Sequence, residues 1–201
     1  MADVAQNLFL IGMPGSGKST VGRALARRLG FIFHDADDEL IRRTGVSIAT
    51  IFEVEGEVGF RQREAQVVAD LVGLRGIVLA TGGGAILRAD TRAQLKRNGE
   101  VIYLRASIEE LVKRTQRDRN RPLLHGALLQ GAARQTVTPE QKLRELMAIR
   151  DPLYREIADL TVESTPRGAG RLAFEIIEKL AIHAAQSRNN AANAQLPKAP
   201  Q

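Results

Sequence analysis

The chain has 201 residues, which suits one domain with a short appendage, and 44% hydrophobic residues suffice for a sizeable core although aromatics are only 4%. With no cysteine it has no disulfide, no thiolate nucleophile and no Cys-bound metal. The net charge of +6 would suit a nucleic-acid partner if spread out, but Lys113, Arg114, Arg117, Arg119 and Arg121 crowd together against Asp118 alone, which fits either a small polyanion at one site or a solvated arginine-rich face.

Met1 to Asn7 has neither the charged n-region nor the apolar h-region of a signal peptide. No apolar run approaches the roughly 20 residues needed to cross a bilayer, so a soluble, cytoplasmic protein is expected. Asn7 to Gly12 is a short apolar run ending in glycine, a buried strand by pattern. Val21, Ala24, Leu25 and Leu29 recur at helical spacing over Lys18 to Leu29. A second strand is predicted over Phe31 to His34, with a helix from about Asp37 to Arg43. Ser47 to Val54 and Glu57 to Leu74 read as helices, Gly76 to Ala80 as a third strand, Ala89 to Asn98 as a helix and Val101 to Arg105 as a fourth strand.

Ser107 with Glu110 is a capping-box signature opening a helix to about Arg117. Residues 118–137 show no clear periodicity and read as a mobile loop. Thr138-Pro139-Glu140-Gln141 starts a helix that is expected to end near Arg150. Leu160 to Glu163 is a fifth strand, and the last helix buries Ala173, Ile176, Ile177 and Leu180. The run from Gln186 to Gln201 holds little to bury and is expected to be a disordered tail beyond a single domain spanning residues 1–185. Strands alternating with helices imply a parallel α/β sheet with helices on both faces, and ligands then bind beyond the carboxyl ends of the strands.

Three candidate chemical elements fall at those ends. Gly12 to Thr20 (GMPGSGKST) matches G-x-x-x-x-G-K-[ST] between a strand and a helix. In such a loop the N–H groups around Gly15, Ser16, Gly17 and Thr20 cradle phosphate oxygens, Lys18 reaches the β/γ-phosphates and the Ser19 hydroxyl ligates Mg²⁺. After the second strand comes Asp35-Ala36-Asp37-Asp38-Glu39. Asp38 and Glu39 read as helix-capping acids. Asp35 and Asp37 divide two roles between them, one towards Mg²⁺ and one accepting a hydroxyl proton from the phosphoryl acceptor. Thr81-Gly82-Gly83-Gly84 closes the third strand, where glycines let a ligand approach the backbone or simply form a flexible turn.

With GFRQRE around Arg61, RTQRDRNRPLL before the loop and RDPLYREIAD from Arg150, these motifs together resemble the shikimate kinase family from about Leu8 to Leu180. The resemblance implies a P-loop kinase fold of five parallel strands in the order 2-3-1-4-5, with a mobile lid over about residues 113–137 and a separate acceptor-binding helical segment. It implies transfer of the γ-phosphoryl group of ATP to the 3-hydroxyl of shikimate, a step towards chorismate and the aromatic amino acids. It places Asp37, Arg61, Arg150 and the Gly82–Gly84 turn on shikimate, Lys18, Arg121 and Arg167 on ATP, and Ser19 and Asp35 on the Mg²⁺ side. Lys18, Asp37 and Arg121 are the catalytic set, and a monomer without nucleic-acid or membrane partners is expected. Arg61 and Arg150 suit a carboxylate clamp, and Arg121 suits the transferring phosphoryl group. The stretch from Pro122 to Thr138 is longer and richer in Ala and Gln than the family pattern.

Three other functions share parts of this pattern. A different small-molecule or nucleoside monophosphate kinase of P-loop type, for instance one resembling gluconate kinase, shares the loop. A GTPase needs an N/T-K-x-D motif, which is absent. A sensor that only binds shikimate has no use for Lys18, Asp37 and Arg121 together.

Overall fold

In the computed structural model, residues 7–116, 138–165 and 168–194 are described. Strands β1 (Asn7–Ile11), β2 (Ile32–Asp35), β3 (Ile77–Ala80), β4 (Glu100–Arg105) and β5 (Leu160–Glu163) pair in parallel in the order β2-β3-β1-β4-β5. Helices α1 (Lys18–Leu29), α2 (Ala36–Thr44), α3 (Ile48–Val72), α4 (Ala89–Asn98), α5 (Ile108–Gln116), α6 (Pro139–Ile157) and α7 (Ala169–Ala194) complete the chain order. The expected sheet and its order are present.

Side chains alternate across the pleat, so each inner strand feeds two cores. Phe9, Ile11, Ile77, Leu79, Val101 and Tyr103 face a layer built from α2 to α6. Leu8, Leu10, Val78, Ile102 and Leu104 face α1 and α7. Gly22 lets α1 lie close to the sheet: a Cβ there would stand 2.5 Å from the Phe33 ring and 3.1 Å from Leu10 Cδ1.

The amino end of the sheet is tied by polar side chains. Buried Asn7 donates through Nδ2 to the Leu74 carbonyl at 2.7 Å and the Asn98 carbonyl at 3.2 Å, and its Oδ1 accepts the Ile77 N–H at 3.3 Å. Asp159 Oδ2 accepts the Val101 N–H at 2.8 Å, and Lys96 Nζ stands 3.5 Å from Asp159 Oδ1.

Four elements differ from the sequence pattern. The two helices predicted on either side of Gly56 run together as α3 with a kink there, where Gly56 has φ 68° and ψ −173°. A positive φ of this kind favours glycine. Helix α6 does not stop near Arg150 but continues through Pro152 to Ile157. The proline removes one hydrogen bond, and burial of Tyr154 and Ile157 on the continuing turn offsets it. Helix α7 runs on to Ala194, into the segment expected to be disordered. Propagation adds one residue at a time to a helix already nucleated, and alanine is its best former. Finally, Lys113 to Gln116, the start of the expected lid, form the last turn of α5. The rest of that lid, including Arg121, and also Arg167 lie outside the described residues. Among the described residues no helix is long and apolar enough to cross a membrane.

Candidate active site

The strand order reverses on either side of β1, so the connections after β1, β2 and β3 converge at one crevice. A cavity of about 240 Å³ lies there, lined by Gly15, Lys18, Ser19, Asp37, Gly83 and Arg114 among others. A second cavity of about 250 Å³ shares Gly17, Thr20 and Arg114 with it and extends to Thr165, Gly168 and Leu172.

The loop after β1 is shaped by glycines. A Cβ on Gly12 would meet the Leu104 carbonyl oxygen at 2.5 Å, so only glycine allows β1 to turn into the loop against β4. Gly17 caps α1 in the left-handed region, at φ 95°, with no side chain bonded to the first-turn N–H groups. Those groups and the helix dipole make an anion site. Lys18 is buried, and its Nζ donates to the Gly12 carbonyl at 2.8 Å and the Met13 carbonyl at 3.0 Å. Ser16 Oγ is buried with no hydrogen-bond partner.

Ser19 Oγ donates to Asp35 Oδ2 at 2.6 Å. The other oxygen of Asp35 accepts the Asp37 N–H at 3.1 Å as the N-cap of α2. Capping was expected of Asp38 and Glu39, yet Asp35 does it. Glu39 instead pairs with Arg42 and Arg43, whose hydrogen bonds hold its carboxyl at about 2, and Asp38 lies 3.6 Å from Arg23. A hydroxyl and a carboxylate side by side are the hard oxygen donors that suit Mg²⁺. Among the described residues no group of three His, Asp or Glu could hold a metal by itself. That fits an ion completed by phosphate oxygens and water.

On the far side of the cavity, Arg61 is nearly buried and donates to Glu64 Oε2 at 2.7 Å, with Glu57 at 3.3 Å. Glu64 is itself buried, and its Oε1 has no hydrogen-bond partner. Burial pushes its carboxyl above the usual range, with Arg61 pulling the other way. The glycine turn fits against this group. A side chain on Gly84 would collide with the Arg61 guanidinium, and one on Gly82 with Glu64 Oε1. Gly83 packs against Pro14, so the turn also touches the phosphate loop. Arg150 is 5% exposed and donates to the Gly83 carbonyl at 3.3 Å; burial lowers its pKa and Arg61 nearby adds to the effect.

Lys18, Ser19, Asp35, Asp37 and the glycine turn are thus brought together, with Arg61 and Arg150 flanking the turn. Sequence reasoning missed Glu64, Tyr154, Ser164 and the specific place of Arg114. Tyr154 donates to the Gly83 carbonyl at 2.6 Å. Ser164, just past β5, donates to the Ser16 carbonyl at 2.7 Å. Arg114 Nη1 donates to Ser164 Oγ at 2.9 Å. The position of Glu64 one helical turn after Arg61 was the only signal available for it.

A family model for shikimate kinase matches residues 14–181. The chain belongs to the shikimate kinase family. It is 51% identical over 180 residues to a shikimate kinase of Chromobacterium violaceum, covering 90% of this chain and 92% of that one. Against a shikimate kinase of Nitrosospira multiformis it is 52% identical over 176 residues, 88% and 85% of the two chains. Among solved structures it is similar to the Acinetobacter baumannii shikimate kinase in complex with shikimate, at 48% identity and TM-score 0.80 over 89% of this chain and 94% of that one. A Sinorhizobium meliloti gluconokinase is 18% identical with TM-score 0.52, a likeness of fold alone. That leaves the gluconate-kinase alternative with nothing but the shared fold.

Proposed function

We propose that this shikimate kinase family member transfers the γ-phosphoryl group of ATP to the 3-hydroxyl of shikimate, as a single catalytic domain in the cytoplasm. The observation that carries this reading is that Lys18, Asp37 and Gly83 line one cavity, with Arg61 and Arg150 beside it.

The N–H groups around Gly15, Ser16, Gly17 and Thr20 take the phosphates, and Lys18 exchanges its two carbonyl partners for β/γ-oxygens. The nucleoside end occupies the second cavity, which meets the first at Gly17, Thr20 and Arg114. Ser19 and Asp35 would hold Mg²⁺, whose chemistry is to neutralise charge on the β- and γ-phosphates. Arg61 and Arg150 clamp the acceptor carboxylate, since planar guanidinium groups make two-point contacts that lysine cannot. Asp37 accepts the proton of the attacking hydroxyl. From their motifs alone, Arg121 is assigned to the transferring phosphoryl group and Arg167 to the nucleotide.

The test is ADP release with Mg-ATP, measured with shikimate, gluconate, AMP or no acceptor, and with the product identified by mass. Release should rise with shikimate alone and yield a monophosphate. Release that ignores shikimate would overturn the reading.

A further inference from the structure

Arg150 and Tyr154 lie one turn apart on α6, so both face the same side of the helix. Both donate to one acceptor, the Gly83 carbonyl, but unequally. The Tyr154 hydroxyl approaches to 2.6 Å, whereas Arg150 Nη1 stands at 3.3 Å. The first distance is that of a strong hydrogen bond and the second lies at the weak edge of the range.

The ring of Tyr154 needs no hydroxyl to do its packing. It is fully buried and stacked on Tyr103, with centroids 4.9 Å apart. Tyr103 is an internal comparison. It is equally buried, yet its hydroxyl turns to Asp151 Oδ1 at 2.7 Å and not to the glycine turn. One tyrosine of the stacked pair thus serves the frame of α6, and the other reaches out of the core to the site. Burial pushes the Tyr154 phenol up, so it remains a donor throughout the ordinary pH range.

We propose that Tyr154 is a positioning residue for the acceptor: by holding the Gly83 carbonyl at short range, it keeps the Arg150 guanidinium from closing on that carbonyl and leaves the fork directed at the acceptor's carboxylate. The proposal rests on the phosphotransfer reading above. Without the hydroxyl, Arg150 loses its own hydrogen bond to the phenol oxygen and keeps its contact with the Gly83 oxygen, towards which it is then free to close. Because the guanidinium is rigid and planar, drawing in one nitrogen rotates the whole fork, and a two-point contact tolerates only about 0.5 Å or 10–20° of misplacement.

The test uses the full chain and steady-state ADP release, titrating shikimate and ATP separately. In Tyr154→Phe, KM for shikimate should rise about 5- to 20-fold, with kcat and KM for ATP within about twofold. Tyr103→Phe, which also loses a buried hydroxyl, should lower Tm comparably while leaving KM for shikimate within about twofold. In an Arg150→Ala background, adding Tyr154→Phe should change kcat/KM for shikimate by less than about twofold, because the tyrosine acts through the arginine. An unchanged shikimate KM in Tyr154→Phe, an equal shift in Tyr103→Phe, or full additivity with Arg150→Ala would each overturn the proposal. So would a Tyr154→Phe chain that does not fold, since the hydroxyl would then be serving the core. Failure of the phosphotransfer reading itself is separable, because it shows as shikimate-independent ADP release before any substitution is made.

Discussion

The two ends of the sheet use polar groups in opposite ways. At the amino end, Asn7, Asp159 and Lys96 spend their hydrogen bonds on backbone groups and on one another, and join β1, β3 and β4 to the ends of α3 and α4. Also at this end, Glu100 Oε2 is buried without a hydrogen-bond partner and stands 4.0 Å from His183 Nδ1. At the carboxyl end, Gly17 leaves the start of α1 without a side-chain cap, Ser16 Oγ and Glu64 Oε1 are buried without partners, and the Arg150 cation is buried. Each unmet buried group costs about 1–3 kcal/mol. At the carboxyl end an incoming anion or hydroxyl can meet that cost, whereas at the amino end Glu100 Oε2 carries it beside His183.

Substitutions that separate stability from turnover sharpen this contrast. The largest effect is expected from Asp37→Asn, which keeps the size and removes the proton acceptor. Turnover should fall about 10²- to 10⁴-fold with Tm nearly unchanged, and near-normal turnover in the folded variant would reduce Asp37 to a helix residue. Next come Arg61→Ala and Arg150→Ala. Truncating one partner of a buried charged contact costs about 2–5 kcal/mol, so shikimate affinity should drop roughly 30- to 5,000-fold. ATP affinity, titrated in parallel, should move far less, and equal losses for both ligands would dissolve the carboxylate clamp.

The amino end should answer in the other currency. Asn7→Ala removes the partner of the Leu74 and Asn98 carbonyls and of the Ile77 N–H and should lower Tm by roughly 5 °C, while kcat at 25 °C stays within about twofold. A fall in kcat without a fall in Tm would erase the distinction between the ends. A subtler effect concerns pH. Because burial raises Glu64 above its ordinary 4.5, the folded state holds that proton more tightly than the unfolded chain does. Its contribution to stability is therefore present below about 4.5 and lost as pH rises through the raised value. Glu64→Gln should flatten that part of the slope in denaturant titrations, whereas an unchanged slope would show that the buried charge is not costly. Smallest of all, removing residues 186–201 should shift Tm by less than about 2 °C, because among the described residues Leu180 is the last of α7 in the core.

The legible parts of this molecule were the local ones. The phosphate loop, the acids after β2 and the glycine turn each occupy a few consecutive residues, and the strand-helix alternation told where they would meet. What stayed hidden depends on contacts distant along the chain: Tyr154 reaches Gly83 across 71 positions, and Ser164 reaches Ser16 across 148. Asp35 was read for the Mg²⁺ side alone and is found capping α2 as well as accepting from Ser19, because which carboxylate caps a helix depends on a dihedral angle that composition does not reveal. The extension of α7 was hidden for a different reason, since a segment with nothing to bury can still continue a helix that its predecessor has nucleated.

Gly22 sets a limit on how this protein can be improved. Replacing helical glycine with alanine is an ordinary route to thermostability, worth up to about 1 kcal/mol in propensity. Here the added methyl would displace the Phe33 ring or lift α1 from the sheet. Because α1 carries Ser19 and β2 carries Asp35, lifting one from the other would stretch their 2.6 Å contact. An engineer seeking a hardier enzyme should therefore look to the outer faces of the helices, for the inner face of α1 has been spent on a distance.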